Sequence, residues 1–332
     1  MTQYYTIRHT TRFEYDAPIR ESIMEVRVRP RDEGYQQCLR FDLSVSPYTN
    51  LMSYRDHLGN HVYHFDIPGT HSSESITADS VVRVSPQPAL PDRLGPRSWE
   101  AMEQAILNDS SAWEMTLPSQ HTQQTQLLLE LADEIESTRH DDVLSTVRHT
   151  NRAIRETFEY KPQMTTAESS IDEALSSRAG VCQDFAHIMS ALLRRLGIPC
   201  RYVSGYLYHR QDREDSLAQD DATHAWVEVL LPELGWVGFD PTNRTESMDH
   251  HIRTAVGRDY ADVPPTRGVY RGQAKGTLSV TVNVTRQDDM PSQRSQTFEV
   301  SGWTPPPEPM YASREAPKPF EYYAQQMQQQ QE

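Results

Sequence analysis

The 332-residue chain is short of several things, and each shortage narrows its reading. It has three cysteines, Cys38, Cys182 and Cys200. An odd, sparse count excludes a disulfide framework and fits a reducing compartment. No apolar run approaches the roughly 18 residues of a membrane-spanning helix. Residues 1–9 contain no apolar segment of the signal-peptide kind, so a cytoplasmic protein with no membrane partner is expected. Basic residues are outnumbered, 32 Lys and Arg against 47 Asp and Glu, for a net charge of −15. That balance argues against nucleic acid as a partner, since phosphate contact needs basic patches. There is no glycine-rich phosphate loop, no zinc-type Cys/His spacing and no internal repeat. No cofactor and no metal are therefore expected. His57, His61, His64 and His71 cluster with mixed strand parity and read as solvated strand residues. His250 and His251, beside Asp249, could touch a metal, but their spacing does not resemble a zinc site.

Residues 1–85 alternate at period two over 5–8, 13–15, 23–28, 39–45, 61–67 and 80–84. Turn signals separate these runs, as at Asp32-Glu33-Gly34 and Leu58-Gly59-Asn60. An all-β, sandwich-like amino-terminal domain of two packed sheets is expected. Residues 86–97, opening Pro86-Gln87-Pro88, read as a semi-rigid linker. Then Leu127, Leu128, Leu131 and Ile135 share one helix face, and Val143, Val147, Ile154 and Phe158 a second. A strand over 201–208 and a hairpin follow, and 278–284 reads as a last strand. The fold class is α+β, with a second domain over 98–286. Residues 287–332, with Pro305-Pro306-Pro307 and a glutamine-rich end, read as a largely disordered tail.

Cys182 is the residue on which function turns. After Gly180, the residues Phe185, Ile188, Met189, Leu192, Leu193 and Leu196 fall at helical spacing, so Cys182 opens a helix. A helix N-terminus offers unpaired N–H groups and the positive end of the dipole, which favours a thiolate nucleophile. Cys38 and Cys200 read as packing residues. Thr223-His224-Ala225-Trp226-Val227-Glu228-Val229 and Trp236-Val237-Gly238-Phe239-Asp240 each alternate, with Pro232 and Gly235 between them. A turn centred near Pro232 pairs 224 with 240, 226 with 238 and 228 with 236. His224 and Asp240 are then opposite one another on one face, about 4.5–5.5 Å apart at Cβ. This suits a carboxylate that fixes the tautomer of an imidazole whose other nitrogen faces a thiol.

The stretch 177–243 resembles the core of the transglutaminase-like superfamily. The resemblance is carried by Gly180-Val181-Cys182-Gln183-Asp184-Phe185-Ala186, His224-Ala225-Trp226-Val227-Glu228-Val229 and Gly235-Trp236-Val237-Gly238-Phe239-Asp240-Pro241-Thr242-Asn243. The starts at 5–15 and 25–32, and Gly257-Arg258-Asp259-Tyr260-Ala261-Asp262-Val263-Pro264-Pro265, resemble its bacterial members. The resemblance implies a papain-like catalytic domain, a Cys helix packed on an antiparallel sheet, and Cys182, His224 and Asp240 as the catalytic residues. Asp184 either compensates the helix dipole or serves the site. Trp226 and Trp236 either pack in the core or wall the acyl cleft. The family's animal members place a tryptophan in the oxyanion hole, and no match stands upstream of Cys182. Tyr160 and Gln183 are the candidates for a second donor.

The chemistry implied is acyl transfer from a carboxamide or peptide carbonyl of a protein or peptide substrate, through a thioester on Cys182. With water as second nucleophile the same residues make a cysteine peptidase or amidase. A non-catalytic interaction module is the third reading, and the intact set of three residues argues against it. The amino-terminal domain is the candidate surface for a protein partner.

Overall fold

The computed structural model describes residues 2–289, apart from 163, 165, 167–168, 209–222, 244 and 247–249. In chain order its strands are β1 (Gln3–Val26), β2 (Gln36–Ser46), β3 (Met52–Arg55), β4 (His61–Val84), β5 (Glu159–Tyr160), β6 (Ala179–Gly180), β7 (Cys200–Leu207), β8 (His224–Leu231), β9 (Gly235–Phe239), β10 (His251–Gly257), β11 (Thr266–Arg271) and β12 (Gly276–Gln287). Its helices are α1 (Ser98–Asn108), α2 (Ser110–Glu114), α3 (Gln126–Glu134), α4 (Val143–Thr157), α5 (Ile171–Ser177) and α6 (Cys182–Arg195). Among the described residues, no helix is long and apolar enough to cross a membrane. The tail expected beyond 289 lies outside the described residues.

The first sheet is antiparallel, in the order β11-β1-β4-β2, with β12 also on β1 and β3 on β4. β1 and β4 run 24 residues each, too long to stay flat. Their register slips between Glu14 and Glu21. On one side of the slip the buried residues of β1 are Tyr5, Ile7, His9 and Thr11; on the other they are Ser22, Met24 and Val26. The change from odd to even is what a bulge produces. Met24, Val26, Phe65 and Ile67 from one half then pack with Ile76, Ala78 and Phe13 from the other. The two expected layers are thus halves of one continuous, folded sheet.

Two readings need correction. The strand expected at 278–284, and β11 before it, join the first sheet through β1 and not the second domain. Period-two alternation marks a strand but does not say which edge it pairs with. The stretch 86–97 is also less independent than a linker: Leu90 and Leu94 pack on the helical core, and Leu94 N–H donates to Asp142 at 3.2 Å.

The second sheet has the order β10-β7-β8-β9. Helix α6 covers one face, where Phe185, Ile188, Met189 and Leu192 meet Ala225, Val227, Val229 and Leu231. The expected stripe of α4 is buried in the same cluster, Val143, Val147, Ile154 and Phe158 together. α4 starts at Asp142, whose carboxylate accepts the Ser145 N–H at 3.1 Å, a cap that meets one otherwise orphan donor.

β10 is an edge strand, and an open edge needs covering. The first sheet supplies the cover, from the start of β2 and from the turn before β4. Gln36 accepts the Arg253 N–H at 2.8 Å and donates to the Arg253 carbonyl at 2.9 Å. Asn60 does the same for Val256, at 2.8 Å in both directions. Each amide side chain thus stands in for a missing strand. Asn60, fully buried, also accepts from Arg31 at 2.5 Å and donates to Asp56 at 3.0 Å. Asn60→Ala leaves several of these groups unmet, so a loss of about 2–4 kcal/mol is expected in denaturant unfolding. A change within about 0.5 kcal/mol would show that the edge needs no such cover.

Candidate active site

The approach to α6 explains its local sequence. β5 and β6 pair in parallel, Tyr160 with Gly180, so the chain enters the helix beside Tyr160. Gly180 is required by close approach: a Cβ there would stand 2.6 Å from Asp184 Oδ2. That oxygen accepts the Val181 N–H at 2.8 Å. Asp184, 2% exposed, therefore ties the residue before Cys182 to the first helical turn. A carboxylate in that turn also meets the dipole's positive end.

The hairpin pairs Val227 with Phe239, Glu228 with Gly238, and Leu231 with Gly235. The expected register, 224 with 240, is off by two residues. The turn centres on Glu233, which takes the left-handed conformation at φ 66°, and not on Pro232. A slip of two preserves side-chain parity. His224 and Asp240 therefore still share a face, as diagonal and not direct neighbours. Asp240 itself lies just past β9, bridged to Thr245. His224 Nε2 stands 2.8 Å from Asp240 Oδ2.

Asp240 is 0% exposed and surrounded by donors. Oδ1 accepts the backbone N–H groups of Thr242 at 2.9 Å and Asn243 at 3.2 Å. Oδ2 accepts from Asn243 Nδ2 at 2.9 Å, and His251 Nε2 lies 3.0 Å from it. Burial alone would raise the carboxyl pKa, but the charge of His224 and hydrogen bonds from both imidazoles hold it well below its usual range. An ionised acid only accepts, so both histidines present Nε2–H to it. His251 had no part in the sequence-based site. A histidine on an edge strand carries no local signal, and only the sheet order brings it to Asp240.

Burial pulls the His224 pKa down, but it is outweighed by the Asp240 charge and hydrogen bond and by Cys182, which together push it up to about 10. At neutral pH the ring is an imidazolium. Its Nδ1 is buried and has no hydrogen-bond partner among the described residues. It is the nitrogen left for Cys182, whose charge contributes to the shift. Tyr160, half-buried, also feels this centre: burial, then the charges of Cys182 and Asp240, push its phenol up to about 12. It stays a neutral O–H donor. Gln183 sits in the first turn of α6, partly exposed.

The two tryptophans separate. Trp226 stacks on His224 with ring centroids 6.1 Å apart and meets His251 edge-on at 5.0 Å. Gly205 makes room for it, since a Cβ there would lie 2.6 Å from the indole. Trp236 stands further along the hairpin under the Arg201 guanidinium, 4.5 Å from its ring centre. It lines a cavity of about 250 Å3 between the sheet's outer face and residues 33–36, with Trp226, Glu228, His251 and Arg253 also in its wall. His224, Asp240 and His251 offer nitrogen and oxygen atoms within 4.8 Å of one another. Each Nε2 is already hydrogen-bonded to Oδ2, and we read the cluster as hydrogen-bonded rather than metal-holding.

A thiol at a helix start, with an imidazole and a carboxylate on an adjoining hairpin, is the arrangement of papain-like thiol enzymes. Sequence comparison is more specific. Residues 129–241 match the transglutaminase-like superfamily and residues 5–83 the bacterial transglutaminase-like N-terminal region. An uncharacterized Mycobacterium leprae protein is 32% identical over 278 residues, covering 84% of this chain and 97% of its own. The protein-glutamine gamma-glutamyltransferase of Pseudomonas aeruginosa is 30% identical over 186 residues, covering 53% of this chain and 27% of that protein. A candidate cysteine protease from Cytophaga hutchinsonii shares the fold, with TM-score 0.67 at 21% identity over 87% of this chain and 92% of that one. The chain belongs to the transglutaminase-like superfamily, with the N-terminal region of its bacterial members. It is of the general thiol-enzyme kind.

The charge of Asp240 is the largest influence raising the His224 pKa. Asp240→Asn is therefore expected to bring that pKa from about 10 down to its ordinary 6.5 or below, where burial dominates. NMR titration of the ring reads this directly. Since the folded-state pKa is raised, the associated stability is present below pH 6.5 and is lost as pH rises through about 10. A ring still titrating near 10 in the variant would contradict the assignment.

Proposed function

We propose that the protein transfers acyl groups through a thioester on Cys182, with a glutamine-type carboxamide as acyl donor. The observation that carries this reading is the buried His224–Asp240 pair at 2.8 Å, with the second imidazole nitrogen left for Cys182. The Cys182 thiolate attacks the carbonyl carbon, a C–S bond forms, and the developing oxyanion meets backbone N–H groups at the start of α6. The C–N bond then breaks, and His224 gives its proton to the departing ammonia. An incoming amine attacks the thioester while neutral His224 takes a proton from it. The amide forms, C–S breaks, and the imidazolium–thiolate pair returns. Asp240 holds the ring and stabilises its charge. Tyr160 and Gln183 are the candidates for a further oxyanion donor, and Trp226 is the apolar floor beneath the imidazole.

The likeness to the P. aeruginosa glutamyltransferase favours carboxamide donors and an amine acceptor. With water as acceptor the same steps release an acid, and the residues are equally suited to that. Three unpaired thiols accord with a reducing compartment as the place of action. Incubation with glutamine peptides, with and without a primary amine, separates the outcomes by product mass. Amine adducts formed with loss of ammonia are expected from the wild type and none from Cys182→Ala. Acid products alone, even at high amine, would turn the reading to hydrolysis. Products from Cys182→Ala would sink it.

A further inference from the structure

The site holds one imidazole more than the proposed mechanism uses. Asp240 Oδ2 is shared by His224 Nε2 at 2.8 Å and His251 Nε2 at 3.0 Å, and the two rings lie 5.8 Å apart between centroids. His251 comes from β10, at the far edge of the sheet from β9. It is 5% exposed. Its Nδ1 is buried with no hydrogen-bond partner among the described residues. A histidine kept only for packing should have both nitrogens met or an apolar residue in its place, because an unmet buried polar atom is costly. Among the described residues, the hydrogen bond the ring makes is given to the carboxylate that serves His224.

We propose that His251 is a positioning residue: its Nε2–H, with Asn243 Nδ2, fixes the Asp240 carboxylate so that Oδ2 stays in line with His224. This rests on the thiol-enzyme reading of Cys182, His224 and Asp240. The geometry supports it in two ways. Oδ1 is held by the backbone of Thr242 and Asn243 and Oδ2 by Asn243 Nδ2 and His251 Nε2, so His251 shares in setting the rotation about the last side-chain bond. Trp226 packs against both imidazoles, so one indole backs the whole His224–Asp240–His251 row. The charged groups facing His251 are Asp240, His224 and, further along β8, Glu228. Glu228 is itself paired with Arg201 at 2.6 Å and Arg253 at 3.2 Å. Burial outweighs these carboxylates and lowers the His251 pKa, so the ring is a neutral donor at neutral pH.

Two substitutions of similar size separate positioning from packing. His251→Gln can return an N–H to Oδ2; His251→Leu cannot, though it fills the space with an apolar group. In the peptide–amine assay, His251→Leu is expected to lose about 10- to 100-fold in kcat with KM little changed, as small misplacements of catalytic groups do. His251→Gln is expected to stay within a few-fold of wild type. The rate of Cys182 alkylation by iodoacetamide is measured on the same proteins and needs no substrate. It should fall about tenfold in the Leu protein and recover in the Gln protein. If the wild type transfers no acyl group, the proposed function fails, and alkylation alone still decides on His251. Equal behaviour of the Gln and Leu proteins in alkylation, or a Leu protein as fast as wild type, would overturn the assignment.

Discussion

A carboxylate with no access to water survives only if its charge is met, and Asp240 is met from three directions. His224 reaches it from β8, His251 from β10, and Asn243 and the backbone of 242–243 from the turn after β9. The other structural elements of the catalytic end are arranged around that requirement. The sheet order brings the two histidines to the same end. Gly205 opens space for the indole that backs them, and the bend at 240–243 turns its amides inward. Desolvation then works in favour of the site. In water the Asp240–imidazolium attraction would be weak; without water it holds a proton on His224 well past neutrality.

A second set of charges sits on the outer face of the same sheet. Glu228 is bonded to Arg201 at 2.6 Å and to Arg253 at 3.2 Å, and Arg201 also reaches Glu33, in the connection between β1 and β2, at 2.8 Å. Buried ion pairs are weak evidence for stability, since desolvation offsets attraction, but breaking one leaves an uncompensated charge. Together with Gln36 and Asn60 on the edge of β10, they make the amino-terminal sheet a fixed roof over the strand that carries His251. The same strand thus joins the roof to the site.

Much of this was legible in the sequence, and the exceptions are instructive. Helical spacing after Gly180 located α6, because a buried helix must repeat its apolar face whatever surrounds it. The hairpin was legible in its faces but not in its register. Which residue of Pro232-Glu233-Leu234 takes the left-handed turn is decided by the strands on either side, and Glu233 took it. The error was even, so parity protected the site. Where the last strand pairs was not legible, because alternation describes a strand's faces and not its neighbours. His251 was hidden for the same reason: its partner lies across the end of a sheet whose order no local pattern encodes. Trp236, at the right parity for the cleft, is too far along the hairpin and stacks on Arg201 instead.

Cys182 is set apart from the other two thiols by its imidazolium neighbour. Burial raises the pKa of Cys38 and of Cys200 and outweighs the arginine beside each, Arg29 and Arg194. Site-resolved mass spectrometry of brief iodoacetamide labelling at neutral pH tests this most directly. Cys182 is expected to react orders of magnitude faster than Cys38 and Cys200, and to lose that advantage in Asp240→Asn. Labelling of Cys182 no faster than Cys38 in the folded wild-type protein would mean that His224 does not activate the thiol.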